Sequence, residues 1–227
     1  MLFRSEVTIQ DDFLRLMYVE YEPSWEWRFI KEVFYRDKLV GERGFRTFLR
    51  SADPKVRHTN SLFLQTMTPA RSEFFQNDVI FLGDMPASTL NSRFCEMTKE
   101  FVGKFGGGLV VISGPRFGPS QLLATPIADM LPIIADPNSR PVDRREFRPK
   151  LTQDAASVPF MQLGESPQES LKAWNNLGAV PWYQPSLRPH PFATVLLSHP
   201  TDVCASDGQT RQPLISIRRY EIGRAHV

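Results

Sequence analysis

The alternation of strand-like and helix-like apolar patterns over residues 14–112 constrains the fold more than any other feature. Residues 78–82, DVIFL, form a continuous branched run, as in a strand covered on both faces. From a Ser88 cap, apolar residues then recur at spacings of three and four until the GGG at residues 106–108, which predicts a helix. Its apolar positions are Leu90, Phe94, Met97, Phe101 and Phe105. Residues 109–112, LVVI, predict another buried strand.

A similar order occurs earlier in the chain. Residues 14–19, LRLMYV, form a strand-type run, and Pro23 and Ser24 mark a turn and a helix cap. Residues 25–37 then carry an apolar face at helical spacing, and residues 45–50, FRTFLR, predict a further strand. The order strand, helix, strand, strand, helix, strand is typical of an α/β protein whose parallel strands are joined by right-handed crossovers.

Residues 136–220 differ from the preceding segment in their proline content. The prolines are closely spaced and leave little room for long helices. A short helix is predicted over residues 167–177 and late strands over residues 193–197 and 214–218. These strands join or flank the sheet, or they belong to a small separate subdomain. Trp182 and Tyr183 form either a buried plug, which we favour, or a partner-binding surface. We interpret residues 7–135 as the α/β core and residues 136–220 as a Pro-rich elaboration.

The two ends suggest a fragment of a longer protein. Residues 221–227, EIGRAHV, can be back-translated into a common sequencing adapter, so we interpret them as an artefact appended after Tyr220. The alternative is a native polar tail. The opening residues resemble mid-protein sequence, with a strand-like run that begins at Val7.

Composition argues against several classes of protein. The 227 residues include 27 basic and 25 acidic side chains, and a formal charge of +2 is too small for a general nucleic-acid-binding field. No apolar run approaches the roughly 18 residues of a membrane span. Cys95 belongs to the predicted helix, whereas Cys204, His190 and His199 are placed in loops. Because no cysteine or histidine has ligand spacing, we expect neither a metal site nor a cofactor.

Polar residues follow each predicted strand, where open α/β sheets bind their ligands. The rim residues in chain order are Glu20, Tyr21, Glu22, Trp25, Asp53, Asp84, Ser113, Arg116 and Phe117. Adjacent strands would bring them together as a small-ligand site or an active site. The predicted ligand-binding residues are Glu20, Glu22, Asp84, Ser113 and Arg116. In an enzyme the carboxylates would act as acid or base and Arg116 would bind an anion. The alternative is that these carboxylates only cap helices and turns.

Two stretches carry a family resemblance, YVEYEPSWEWRFIK from Tyr18 and GGGLVVISGPRFGP from Gly106. With DVIFLGDMPAS and PWYQPSLRPHPFATVLLSHP, they make residues 7–220 resemble the class I glutamine amidotransferase-like domain of large uncharacterised bacterial proteins. That domain often accompanies a von Willebrand factor A-type domain and membrane-spanning helices. The resemblance implies a flavodoxin-like three-layer sandwich with a mostly parallel sheet. It also implies a membrane-anchored protein of the bacterial envelope, with this domain in the periplasm, although a cytoplasmic position stays open.

The sequence departs from the active amidotransferases at the residues that carry their chemistry. In those enzymes a cysteine on the elbow after a strand attacks glutamine, and a histidine paired with an acidic residue activates it. Here the elbow reads Ser113-Gly114-Pro115, and no His-x-Glu pair occurs late in the chain. The resemblance therefore transfers no catalytic residue. It implies an inactive domain that binds other domains of its parent protein or another protein, the alternative being an enzyme or small-ligand binder that uses the rim.

Overall fold

The computed structural model describes residues 13–141 and 146–220. Its central sheet contains four strands, which are β1 Leu16–Glu20, β2 Phe45–Leu49, β3 Val79–Leu82 and β4 Gly108–Val111. They lie in the order β2-β1-β3-β4, and every neighbouring pair is parallel. The predicted strands and their parallel direction are confirmed. Because all four strands run the same way, their carboxyl ends meet at one edge of the sheet.

One face of the sheet is covered by helix α1, Trp25–Arg36, which is followed by the short helix α2, Gly41–Gly44. The helix begins where the sequence predicts, because the Ser24 hydroxyl accepts the backbone N–H of Trp27 at 3.0 Å. Its inner side packs on strand residues that include Tyr18 and Phe45. None of the twelve α1 residues is fully buried. Helix α1 is therefore held to the sheet by one side only, and the residues on that side are partly buried.

The opposite face carries the larger core. After the short helices α3, Pro54–Thr59, and α4, Arg71–Phe74, the chain forms β3 and then α5, Ser92–Phe105. Phe74 of α4 packs edge-to-face on Phe94 and Phe101 of α5, with ring centroids 6.0 and 6.2 Å apart. Helices on both faces thus enclose the parallel sheet.

Helix α5 begins three residues later than a Ser88 cap requires. The side-chain oxygen of Asn91 accepts the N–H of Phe94 at 2.7 Å, whereas Ser88 lies in the 3-10 turn Ala87–Thr89. Asn91 is therefore the cap, and the prediction for Ser88 is wrong. Gly106 ends the helix as predicted, in the left-handed conformation with φ 72°.

The late strands form sheets of their own. The remaining elements are β5 Ile133–Ala135, β6 Lys150–Leu151, α6 Pro167–Asn176, β7 Ser186–Pro189, β8 Ala193–Val203 and β9 Arg211–Arg218. Strands β6, β8 and β9 make one antiparallel sheet, and β5 pairs with β7 in another. The late strands therefore do not join the parallel sheet, one of the predicted arrangements, but pair among themselves. Arg218 anchors them to the core by donating to the carbonyl of Asp129 at 2.8 Å.

Burial in the elaboration also differs from the sequence prediction. His199 lies inside β8 rather than in a loop, whereas Cys204 lies in the loop directly after β8 as predicted, and both side chains are buried. The backbone N–H of Asp202 donates to Nδ1 of His199 at 2.8 Å. Tyr183 is buried against the His199 ring, and its hydroxyl donates to Asp202 at 2.7 Å. The predicted plug is thus confirmed for Tyr183. Residues 7–12 and 221–227 lie outside the described ranges.

Candidate functional site

The carboxyl edge of the sheet brings the predicted rim residues together. Glu20 is the last residue of β1, Asp84 comes two residues after β3, and Arg116 follows β4. The segment after β1 leads to α1 on one face, whereas the segment after β3 leads to α5 on the other. Doubly wound sheets bind their ligands at such a switch point, so this edge is the first place to look for a site.

Arg116 is held between two carboxylates. Its Nε donates to Oδ2 of Asp84 at 3.3 Å, and one terminal nitrogen lies 3.1 Å from Oε2 of Glu22. The guanidinium also lies over the rings of Tyr21 and Phe117, 5.6 and 5.3 Å from their centroids. Asp84 is buried and accepts the N–H of Phe117 at 2.7 Å. One guanidinium thus faces two carboxylates, so the group as a whole keeps a formal charge of −1.

Asp84 also fills the turn after β4. The N–H of Gly114 donates to the carbonyl of Phe117 at 3.0 Å. A Cβ added to Gly114 would come within 2.0 to 2.3 Å of Asp84 side-chain atoms, so only glycine fits. The adjoining cavity, lined in part by Gly83 and Phe117, has a volume of about 10 Å³. It has room for about one water molecule and not for a substrate.

Ser113 lies at the start of the same turn. It is half-buried directly beyond β4, and its hydroxyl bonds to no other residue within the two described ranges. The structure therefore brings Glu22, Asp84 and Arg116 into contact. Asp53 lies apart from this group, since it caps α3 by accepting the N–H of Lys55 at 2.8 Å.

Glu20 lies on the α1 side of the sheet and is only 2% exposed. Its carboxylate accepts the Ser24 hydroxyl at 3.0 Å. Burial raises the pKa of Glu20 to about 7, even though the bonds from Ser24 and the Asp84 backbone act in the opposite direction. A carboxyl group that titrates near neutral pH can give or take a proton under physiological conditions.

The Tyr18 hydroxyl lies beside the Glu20 carboxyl. A Cβ added to Gly83 would be 3.0 Å from that hydroxyl and 3.2 Å from Cδ of Glu20, so the two groups border one point. The hydroxyl is buried without a hydrogen-bond partner in the described part of the chain. Burial and the nearby Glu20 charge raise the pKa of Tyr18 above its usual range. Tyr18 therefore stays protonated and has a donor to offer.

Sequence reasoning missed two residues of this region. Tyr18 looks like an ordinary apolar strand residue, although its two-residue spacing from Glu20 places both on one face of β1. Gln184 reaches the turn from the elaboration, and its side-chain nitrogen donates to the carbonyl of Gly114 at 3.3 Å. Alternation along β1 could have revealed Tyr18, but no local pattern predicts a contact between positions 70 residues apart.

A larger groove lies beside the rim, between α1 and the segment that follows β2. Its volume is about 650 Å³, within the usual range for ligand and partner pockets. Its lining includes Trp27, Arg28, Lys31, Asp53, Val56 and Phe63. Asp53 thus belongs to this groove and not to the Arg116 group. The groove large enough to hold a ligand at this edge of the sheet therefore lies beside α1 and not at the turn after β4.

Across residues 13–141 and 146–220, no three histidine, cysteine, aspartate or glutamate side chains converge as a metal site would require. In the same ranges, every helix is too short or too polar to cross a bilayer.

Comparison with known proteins yields no relative. No family model matches the sequence, and neither a curated protein nor a solved structure matches the chain significantly. The geometry of the site and the residues that form it are therefore the basis for a functional proposal.

Proposed function

We propose that the chain is a catalytically inactive class I amidotransferase-like domain that serves as a binding module within a larger envelope or membrane-anchored protein. The resemblance over residues 18–31 and 106–119 supports this proposal. The four-stranded parallel sheet with helices on both faces is compatible with the flavodoxin-like three-layer sandwich that the resemblance implies. The elaboration adds two small antiparallel sheets to that framework.

The closed turn after β4 is the observation that carries the proposal. A glutaminase needs a thiolate on this turn and free backbone N–H groups for the developing oxyanion. Here the N–H of Gly114 is bonded to the Phe117 carbonyl, and the N–H of Phe117 is bonded to Asp84. Cys95 does not replace the missing nucleophile, because it is buried within α5 and burial raises the pKa of its thiol.

A glutaminase assay tests the absence of activity. The purified chain is incubated with glutamine, and the glutamate formed is measured for the unaltered protein, Cys95→Ser and Cys204→Ser. We expect all three proteins to match the buffer rate, and circular dichroism checks that the variants fold. Turnover by the unaltered chain that disappears in Cys95→Ser would falsify the proposal.

The place of the domain in a parent protein has its own test. The resemblance implies an envelope location, periplasmic or membrane-tethered. Sequencing the natural gene on both sides of residues 1–220 reads the flanking regions directly. Membrane helices and a von Willebrand factor A-type domain in the flanks would support the module; a frame without either would count against this location.

A small-ligand binder or enzyme that uses the rim is the second candidate. The Tyr18 hydroxyl without a partner, beside the Glu20 carboxyl with a pKa of about 7, favours it. A thermal-shift screen of carboxylic acids, amino acids and phosphates addresses this candidate. A true ligand should raise the melting temperature of the unaltered protein but not of Tyr18→Phe or Arg116→Ala. The candidate is dropped when every stabilising compound acts equally on all three proteins.

A further inference from the structure

Four side chains of the elaboration form a cluster around His199. The His199 ring contacts the rings of Phe147 and Tyr183, with centroids 4.1 and 4.9 Å away, and the Tyr183 hydroxyl donates to Asp202 at 2.7 Å. We call Phe147, Tyr183, His199 and Asp202 the His199 cluster. The first three are buried. Because these residues come from three separate parts of the chain, the cluster joins β8 to the segments that precede β6 and β7.

The hydrogen bonds of His199 determine which form of its ring the cluster accepts. Nδ1 accepts the backbone N–H groups of Asp202 at 2.8 Å and Thr201 at 3.2 Å. A ring nitrogen that accepts hydrogen bonds carries no proton, so the ring is neutral and its proton is on Nε2. A second proton would turn Nδ1 into a donor that faces two other donors. Protonation therefore breaks these contacts.

Asp202 and Arg211 are the charged groups that act on the ring from β8 and β9. Oδ1 of Asp202 lies 3.7 Å from Nδ1 and favours a positive ring, but this carboxylate already accepts the hydroxyls of Tyr183 and Thr201. Arg211 acts in the opposite direction. Burial has the largest effect, and together with Arg211 it holds the pKa of His199 below its ordinary value of 6.5.

The other segments packed on the ring leave its charge balance unchanged. Within the described ranges, Glu146 and Arg148 flank Phe147 and are both exposed. Burial raises the pKa of the Tyr183 hydroxyl above its usual range and also raises the pKa of the Cys204 thiol, so both groups stay neutral. The neutral ring is therefore the form that this environment accepts.

Gln184, the neighbour of Tyr183, connects the cluster to the candidate site. Its Nε2 donates to the carbonyl of Gly114 at 3.3 Å, and its Oε1 is buried without a hydrogen-bond partner in the described part of the chain. A Cβ added to Gly118 would come within 2.7 to 2.9 Å of the Gln184 amide group, so this side chain lies tightly against the turn after β4. Its position depends on the adjoining Tyr183, which the His199 cluster fixes.

We propose that the His199 cluster is a pH-sensitive switch: a proton taken up by His199 separates Tyr183 from the ring and withdraws Gln184 from the turn after β4. The protonated Nδ1 repels the two N–H groups that it accepts at neutral pH, and Oδ1 of Asp202 is within reach of its new hydrogen. Asp202 then exchanges the Tyr183 hydroxyl for the ring. Acid thereby uncovers the turn that carries Arg116. The switch goes beyond the proposed function, because it acts equally in a binding module and in an enzyme.

The direction and size of the effect follow from the protonation step. In the open form the His199 ring has its ordinary pKa of 6.5, whereas the closed form has no place for the second proton. The opening equilibrium therefore rises about tenfold for each pH unit below 6.5 and is nearly constant above about pH 7. Between about pH 7.5 and 5.5, opening should increase about tenfold.

Hydrogen exchange measured by NMR on the full chain tests this prediction at about pH 7.5 and 5.5. The observed rates are divided by the intrinsic rates at each pH, which gives the opening equilibrium. The amides of Thr201 and Asp202 report the opening of the cluster, and the side-chain amide of Gln184 reports its withdrawal from the turn. We expect all three to open about tenfold more often at the lower pH, while the amides of α5 keep their values.

Two histidine variants identify the group that takes up the proton. His199→Asn removes the titrating ring but keeps a side-chain acceptor for the backbone N–H groups that follow it. We expect this variant to open more often at both pH values, since its ring contacts are lost, but to show no pH dependence. His190→Asn is the matched control, because the His190 ring also accepts a backbone N–H, from Phe192 at 3.2 Å, and lies outside the cluster. It should keep the response of the unaltered chain.

A further measurement needs no variant. The nitrogen NMR signals of the His199 ring in the unaltered chain identify the ring nitrogen that carries the proton. We expect the proton on Nε2 at about pH 7.5, because Nδ1 accepts two backbone N–H groups. A proton on Nδ1 would remove the basis of the switch.

Several results from the exchange measurements would overturn the proposal. These are a change in opening below about twofold between the two pH values, an equal response in His199→Asn, a response lost in His190→Asn, or a Gln184 side chain that does not follow the cluster. A parallel increase in α5 would mean that acid unfolds the whole chain, which contradicts a local switch. The glutaminase assay reads turnover and not opening, so the two proposals can fail separately.

Discussion

Replacing Glu20 by glutamine should stabilise the protein above neutral pH and change its stability little near pH 4. The carboxyl group is buried, and its pKa in the folded state is about 7 against an ordinary value of 4.5. Between these two values the folded protein binds a proton that the unfolded chain has lost. The free energy of unfolding of the unaltered protein must therefore fall as the pH rises through this window.

The size of the effect follows from the two pKa values. A difference between 4.5 and about 7 corresponds to about 3 kcal/mol of lost stability once the pH exceeds 7. Glutamine has the same shape, carries no charge at any pH, and can still accept the Ser24 hydroxyl that Glu20 accepts at 3.0 Å. The variant should therefore escape the loss and exceed the unaltered protein by about 3 kcal/mol at alkaline pH.

Urea unfolding at several pH values between about 4 and 9 measures this difference. The exposed Glu96 on α5 provides the control, because Glu96→Gln removes a carboxylate that pays no burial cost. We expect the stability difference for Glu20→Gln to grow between pH 5 and 7 and then level off, and to exceed the difference for Glu96→Gln at alkaline pH. A difference for Glu20→Gln that does not change with pH would refute the reasoning.

Two further substitutions test the turn and the core. Gly114→Ala should destabilise the protein by about 1–3 kcal/mol, because the added Cβ would overlap Asp84. The control is Gly178→Ala, whose Cβ would meet nothing within 4 Å, and it should change the free energy of unfolding by no more than about 0.5 kcal/mol. Phe101→Ala should lower the free energy of unfolding by about 3–5 kcal/mol, because Phe101 is 1% exposed in the main core. Phe160 is 63% exposed, so Phe160→Ala should lower it much less. Thermal and urea denaturation check both pairs. Equal losses within either pair would contradict the packing assigned to Gly114 or Phe101.

The elements of the core were predictable because their signals are local. A continuous branched run such as β3 and the apolar period of α5 belong to the segments themselves. The cap of α5 was not predictable in the same way. Ser88 and Asn91 are both good capping residues, and only the 3-10 turn after Pro86 removes Ser88 from the helix.

The elaboration was harder to predict because its signals are weaker. Strand β8 is interrupted by register shifts and includes Pro200, so its period of two cannot be followed to Val203. His199 looks like a loop residue, but backbone N–H donors from Thr201 and Asp202 satisfy its ring nitrogen and allow burial.

The sequence predicts which residues lie at the candidate site, but it does not predict which of them touch each other. Each rim residue follows a strand, and parallel strands present their carboxyl ends at one edge, which the sequence already implied. The strand order decides which of these residues meet, and that order depends on long-range packing. Arg116 therefore meets Glu22 and Asp84, whereas Asp53 beyond the edge strand β2 lines the groove.

Helix α1 is held to the sheet by few buried contacts, and this affects how easily it unfolds locally. No residue of α1 is fully buried, whereas six residues of α5 are. Segments with few buried contacts open locally at a free energy below that of global unfolding. The amide hydrogens of α1 should therefore exchange with solvent earlier than those of α5. A molecule that covers α1 would raise the free energy of each opening that releases it, so amide exchange in α1 would slow and report occupancy.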